Sequence, residues 1–168
     1  MILRKMKSGR KQPLGQSLVE LAFTLPIFLL LLIGIMEVGR LVFFYNAIYS
    51  ASREGARYAA ATDPSSGTAR YNDCSGIRSA AKKAGILAKL TDANIKIEYD
   101  TGPGTSIKSA CPVDLINNDL GLGDRVVVTV TGTYHPLVPI TNFGVTPITS
   151  TTARTLIKDL DINLDGTF

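Results

Sequence analysis

The chain has 168 residues and a formal charge of +4. Five of its 18 basic residues, Arg4, Lys5, Lys7, Arg10 and Lys11, precede Gly15, and the 13 that remain face 14 acidic residues. The excess of positive charge therefore belongs to the N-terminal tail, no basic face is left to bind nucleic acid, and the length suits one modest extracytoplasmic domain plus a membrane segment.

Taken in chain order, residues 1–15 read as a basic leader. Basic charge just before an apolar span places the N-terminus on the cytoplasmic side and the rest of the chain outside. Gly15-Gln16-Ser17-Leu18-Val19-Glu20 then opens the uncharged run Leu21 to Met36. A carboxylate inside a membrane segment costs roughly 3 kcal/mol at a helix centre and less near an interface. A residue with that cost has a task and a partner, so the junction reads as a cleavable leader followed by an assembly helix. The span, about residues 18–40, reaches the ~20 residues that a bilayer requires. Glu37 and Arg40, three apart on one helix face, can pair at its end. Tyr45 and Tyr49 suit the outer interfacial belt. Pro26 cannot donate to the carbonyl of Ala22, which predicts a kink; membrane helices tolerate this because neighbours satisfy the freed group.

The helical pattern continues to about Ala61. Ala47, Ala51, Gly55 and Ala59 recur every four residues, a smooth stripe that lets another backbone approach closely. The plainer alternative is alanine-rich filler. Glu54 and Arg57 can pair on another face. The long helix is expected over 16–61; from about Ser17 to Ala61 it would run roughly 65 Å at 1.5 Å per residue, packing the outer domain on one side and neighbouring subunits on another. Thr62-Asp63-Pro64-Ser65-Ser66-Gly67 breaks it.

Residues 62–168 form the outer domain. Helical spacing of Ile77, Ala80, Ala81, Ala84, Leu87, Ala88 and Leu90 predicts a helix from about Cys74 to Leu90. Strands are predicted at Ile95–Tyr99, Arg125–Tyr134 and Ile148–Ile157, with irregular chain from Asp100 to Gly123. The order predicts an α+β fold, a small antiparallel sheet laid on the outer half of the long helix. Two cysteines, Cys74 and Cys111, in an oxidising compartment suggest one disulfide, the alternative being two buried thiols.

No catalytic constellation emerges, and no cofactor is expected. His135 stands alone at a strand end, a surface or turn residue, and there is neither a nucleophile elbow nor a phosphate-binding glycine loop. Asp161, Asn163 and Asp165 match the first half of a calcium loop without its later acidic ligand; the alternating Leu160, Ile162 and Leu164 read equally as a final strand. Beside the assembly reading stand a signal-anchored extracytoplasmic binding or structural domain that never joins a fibre, a secreted protein, for which the apolar run is too long, and, last, an enzyme.

The run GQSLVELAFTLPIFLLLLIGIMEVGRLVFFYNAIYSASREGARYAA resembles the N-terminal signature of TadE-like pseudopilins, minor pilins of the tight-adherence (Tad/Flp) branch of type IV pili. The resemblance rests on the glycine with a glutamate five residues later, the proline in the apolar run, the Glu-Val-Gly-Arg exit and the Ala-Ser-Arg-Glu-Gly-Ala-Arg-Tyr-Ala segment. Leu21 stands where Flp-type pilins often carry Tyr or Phe. The resemblance implies that a prepilin peptidase cuts after Gly15, leaving Gln16 as the mature N-terminus and Glu20 as the fifth mature residue. It implies other pilin and pseudopilin subunits, an inner-membrane assembly platform and the lipid bilayer as partners. It also implies a single-pass protein of the bacterial cytoplasmic membrane that can pass into an extracellular pilus and serve surface attachment. A carboxylate at Glu20 and a free amine at Gln16 of a neighbour would satisfy each other in lipid and set the axial register; the alternative is a Glu20 that snorkels to water.

Overall fold

The computed structural model describes residues 14–62, 69–113, 120–137 and 145–157. Its elements in chain order are α1 (Leu14–Ala59), α2 (Cys74–Ala84), β1 (Ile95–Asp100), β2 (Ile107–Ala110), β3 (Arg125–Tyr134) and β4 (Thr146–Thr155), with short 3-10 turns at Arg70–Asn72, Ile86–Ala88 and Asp92–Asn94. The fold is α+β, with a four-stranded antiparallel sheet in the order β2-β1-β3-β4.

The chain divides into two units between Gly39 and Arg40. In the first, every large apolar side chain from Leu18 to Val38 is exposed. Among the described residues α1 is the helix long and apolar enough to cross a membrane. An apolar surface of this extent is untenable in water and suits a lipid or protein environment. Pro26 lies inside α1 without ending it.

The second unit holds the core. Here α1 buries Ala47, Ile48, Ala51, Ser52, Gly55, Ala56 and Ala59, a stripe at the spacing of one helix face. Strand β3 alternates, turning Val126, Val128 and Val130 inward, and β1 adds Ile95, Ile97 and Tyr99. Ile77 and Ala81 of α2 complete the cluster. The approach of helix to sheet is close: a Cβ at Gly132 of β3 would overlap Ile48 Cδ1. Only glycine leaves room there, so its weak strand propensity is offset by packing.

Edge strand β4 meets α1 through polar atoms. Ser52 Oγ lies 2.9 Å from both Ser150 Oγ and Thr152 Oγ1, and 3.0 Å from the Tyr49 carbonyl. One hydroxyl can donate once and accept twice, so this buried serine is satisfied by donating to Tyr49 and accepting from the strand. On the opposite face of the sheet, Thr129 pairs with Thr151 and Thr131 with Thr149 at 3.0 and 3.1 Å, cross-strand contacts that favour the register.

The structure corrects several expectations. The second helix ends at Ala84, not Leu90, because Gly85 caps it and the chain continues as a 3-10 turn. The stretch expected to be irregular after Asp100 contains β2, so the described residues hold four strands rather than three. The last described strand spans Thr146–Thr155 instead of Ile148–Ile157, and α1 ends at Ala59.

Two carboxylates fasten the unit. Asp73 caps α2: its Oδ1 accepts from the Gly76 N–H and the Ser75 hydroxyl, each at 2.8 Å, and its Oδ2 from the Tyr58 hydroxyl at 2.8 Å. Asp100 accepts two 2.7 Å bonds from the Arg125 guanidinium across β1 and β3. The Gly76 amide above all, with Ser75, holds the Asp73 carboxyl below its ordinary value, and the Arg125 guanidinium does the same for Asp100. A depressed folded-state value means that the unfolded chain binds the proton more readily, so stability falls as pH falls. The contribution is complete above the ordinary 3.8 and disappears as pH drops through the folded values. Thermal melts of the full chain in detergent should be flat from neutrality to about pH 5 and decline below that. Asp73→Asn with Asp100→Asn should lower the plateau and flatten the decline; an unchanged acid limb would assign it to other groups.

Candidate assembly site on the N-terminal helix

Gly15, Gln16 and Glu20 all lie in the first two turns of α1 and are exposed. A Cβ on Gly15 would meet nothing within 4 Å, so packing does not explain glycine at this position. Gln16 and Glu20 are four residues apart and share a helix face. Thr24 Oγ1 donates toward the carbonyls of Glu20 at 3.0 Å and Leu21 at 3.3 Å. Its hydroxyl is thus satisfied by the helix itself, as an apolar environment requires. Two residues on, Pro26 offers no N–H to the Ala22 carbonyl.

The small-residue stripe serves the second unit from within. Gly55 sits where an added Cβ would lie 3.2 Å from Val128 Cγ1 and 3.3 Å from Ala81 Cβ. Ala47, Ala51 and Ala59 are buried beside it. At the turn after α2, a Cβ on Gly85 would lie 2.9 Å from Ala51 Cβ and 3.3 Å from the Ala47 carbonyl. Small side chains on α1 therefore let α2 and the sheet dock closely. What α1 leaves open in this unit is another face, carrying Tyr49, Arg53 and Arg57. Arg53 stacks over the Tyr49 ring at 5.4 Å, and Arg57 pairs with Glu54 through bonds of 2.9 and 2.6 Å. The Glu54–Arg57 pair, three apart, is readable from its spacing, and the Tyr49–Arg53 stack, four apart, carries the same kind of signal.

Cys74, the first residue of α2, is disulfide-bonded to Cys111, just past β2. The Val113 N–H donates to Asn72 Oδ1 at 2.9 Å beside it, and the Tyr99 hydroxyl donates to the Tyr71 carbonyl. His135 is exposed directly after β3. The partial calcium loop Asp161, Asn163 and Asp165, and the leader residues 1–13, lie outside the described residues.

Residues 15–57 match the model of the TadE-like protein family. No curated protein and no solved structure matches the chain. The matched segment is α1 nearly to its end, and so includes the Gly15–Glu20 junction, Pro26 and most of the small-residue stripe. Over that helix, about a quarter of its length, the chain is similar to the TadE-like protein family.

Proposed function

We propose that this protein is a minor pilin of the tight-adherence pilus, inserted with its N-terminus in the cytoplasm and cut after Gly15 by a prepilin peptidase. Gln16 becomes the mature N-terminus, and α1 carries the subunit through the assembly platform into a fibre with other pilin and pseudopilin subunits. Its role is to initiate, prime or cap that fibre, which serves surface attachment. The observation that carries this reading is the family match over residues 15–57, which begins at the residue before the proposed cut. The exposed Glu20 on an exposed apolar helix supports it, because such a carboxylate needs a partner once the helix is in lipid or packed among other helices. The work of the molecule on this reading is structural.

The test is the N-terminus of the membrane-extracted protein, read by mass spectrometry with and without a prepilin peptidase. A new terminus at Gln16 that requires both the peptidase and Gly15 is expected. An intact leader under both conditions would overturn the reading and leave an anchored extracytoplasmic domain that does not enter a fibre.

A further inference from the structure

One end of the second unit carries an unusual surface. Arg40, Phe43 and Phe44 of α1, Leu87 and Lys89 of the turn after α2, and His135 after β3 line a groove of about 700 Å³. Phe44 packs edge-on against Tyr134 at 5.6 Å, and the Arg40 guanidinium lies over the same ring at 5.7 Å. Around the groove, four large apolar side chains stand in the open: Phe43 is 64% exposed, Ile86 74%, Leu87 67% and Leu137 65%.

The turn that bears Ile86 and Leu87 is held firmly. Gly85 is pressed against α1, where a Cβ would crowd Ala51 and Leu90, and Leu90 is buried. Between them Lys89 adopts the left-handed region at φ 48°, a conformation that costs a non-glycine residue stability and persists when its surroundings impose it. Two neighbouring aliphatic side chains are thus fixed outward on a rigid turn, next to a lysine. Exposed apolar side chains beside cations and aromatic rings have the composition of a membrane-interface surface.

The position in the chain says which surface it meets. Along α1, Arg40 and Phe43 follow the uncharged run that ends at Met36 within about two helical turns, so with α1 as a membrane anchor these two residues come close to the end of the span. We propose that the Gly85–Leu90 turn, with Phe43 and Leu137, is a lipid-contact surface. Ile86 and Leu87 insert at the boundary between headgroups and acyl chains, while Lys89 and Arg40 lie among the phosphates. This rests on the reading of α1 as a membrane anchor. It adds a second contact with the bilayer, one that orients the outer unit in the membrane-bound subunit and must be released when the subunit leaves the bilayer.

The chain has no tryptophan, so a single introduced indole reports its own surroundings. Three full-length variants, Leu87→Trp, Phe28→Trp and Thr101→Trp, are reconstituted in phosphatidylethanolamine and phosphatidylglycerol vesicles with and without brominated acyl chains. Phe28 lies in the apolar stretch and Thr101 in the exposed turn after β1, at the end of the sheet away from the groove. The expected result is blue-shifted emission and loss of emission on bromination for Leu87→Trp as well as Phe28→Trp, with Thr101→Trp unaffected. Ile86→Trp serves as a second reporter on the turn. If Phe28→Trp is not quenched, the anchor reading fails and this surface fails with it. If Phe28→Trp is quenched while both turn reporters stay water-exposed, the lipid contact alone is overturned. A shift at Leu87→Trp that requires other pilin subunits, without quenching by lipid, overturns it too and assigns the patch to a subunit contact. Quenching at Thr101→Trp would show the whole unit lying on the vesicle and overturn the assignment to this turn.

Discussion

Replacing Cys74 and Cys111 together by serine is expected to lower the stability of the outer unit by about 4 kcal/mol, the chain-entropy value for a closed loop of this length. The two cysteines are 37 residues apart, and the loop between them holds α2, β1 and β2. The bond pins a four-residue edge strand whose side chains face mostly outward. Without it, β2 would hold to β1 through a short ladder interrupted by a bulge at Tyr99 and Asp100. Ties near the bond among the described residues include the Val113 bond to Asn72 and the Cys111 N–H bond to the Ile97 carbonyl at 3.1 Å. Chemical denaturation of the full chain in detergent reads the total. Hydrogen exchange reads the distribution: amides of β2 should lose protection first, while those of β3, paired on both sides, keep theirs. A loss under about 1 kcal/mol would mean that loop closure contributes little here and that the reduced state retains the same structure.

The contrast between β2 and β3 also explains what could be read from the sequence. Strand β3 shows itself because Val126, Val128 and Val130 alternate against polar residues, and the alternation has a physical cause: one face is buried on α1. Strand β2, Ile-Lys-Ser-Ala, buries no face, so burial leaves no mark on its composition. The helix predicted from Cys74 to Leu90 overruns the observed α2 for a related reason. Leu87, Ala88 and Leu90 continue the helical spacing, yet Gly85 breaks the backbone and sends Leu87 into the open while Leu90 returns to the core. Spacing alone cannot separate those two fates. The small-residue stripe announced a close approach, and its occupant proved to be α2 and the sheet of the same unit. Whether a stripe faces its own domain or a neighbour depends on packing that residue identity does not encode. The residues proposed for processing and assembly stand out by a different route. Gly15 and Glu20 stand out through chemical cost, because neither is explained by packing and one carries charge into an apolar helix.

That cost leads to the second large effect. Glu20→Ala is expected to leave insertion and maturation intact while reducing incorporation into fibres by about a hundredfold or more. The magnitude follows from the proposed pair between Glu20 and the amine of a neighbour's Gln16. Removing one partner of an ion pair in a low-dielectric environment costs about 3–5 kcal/mol, because the other charge is left uncompensated, and about 1.4 kcal/mol corresponds to each factor of ten. Alanine makes the helix more apolar, so membrane insertion is if anything favoured, and the Thr24 bonds to the Glu20 and Leu21 carbonyls use backbone atoms that the substitution keeps. A simple folding or insertion defect therefore predicts loss of the membrane form, whereas loss of register predicts a normal membrane form absent from the fibre. Quantitative mass spectrometry of membrane and sheared-fibre fractions separates the two. Glu20→Gln retains the length and hydrogen-bonding capacity of the side chain and removes its charge. It should fall close to alanine if charge neutralisation sets the register, and close to the native chain if a hydrogen bond suffices. Equal incorporation of Glu20→Ala and native protein would sink the pairing and leave Glu20 as a carboxylate that reaches water at the cytoplasmic interface.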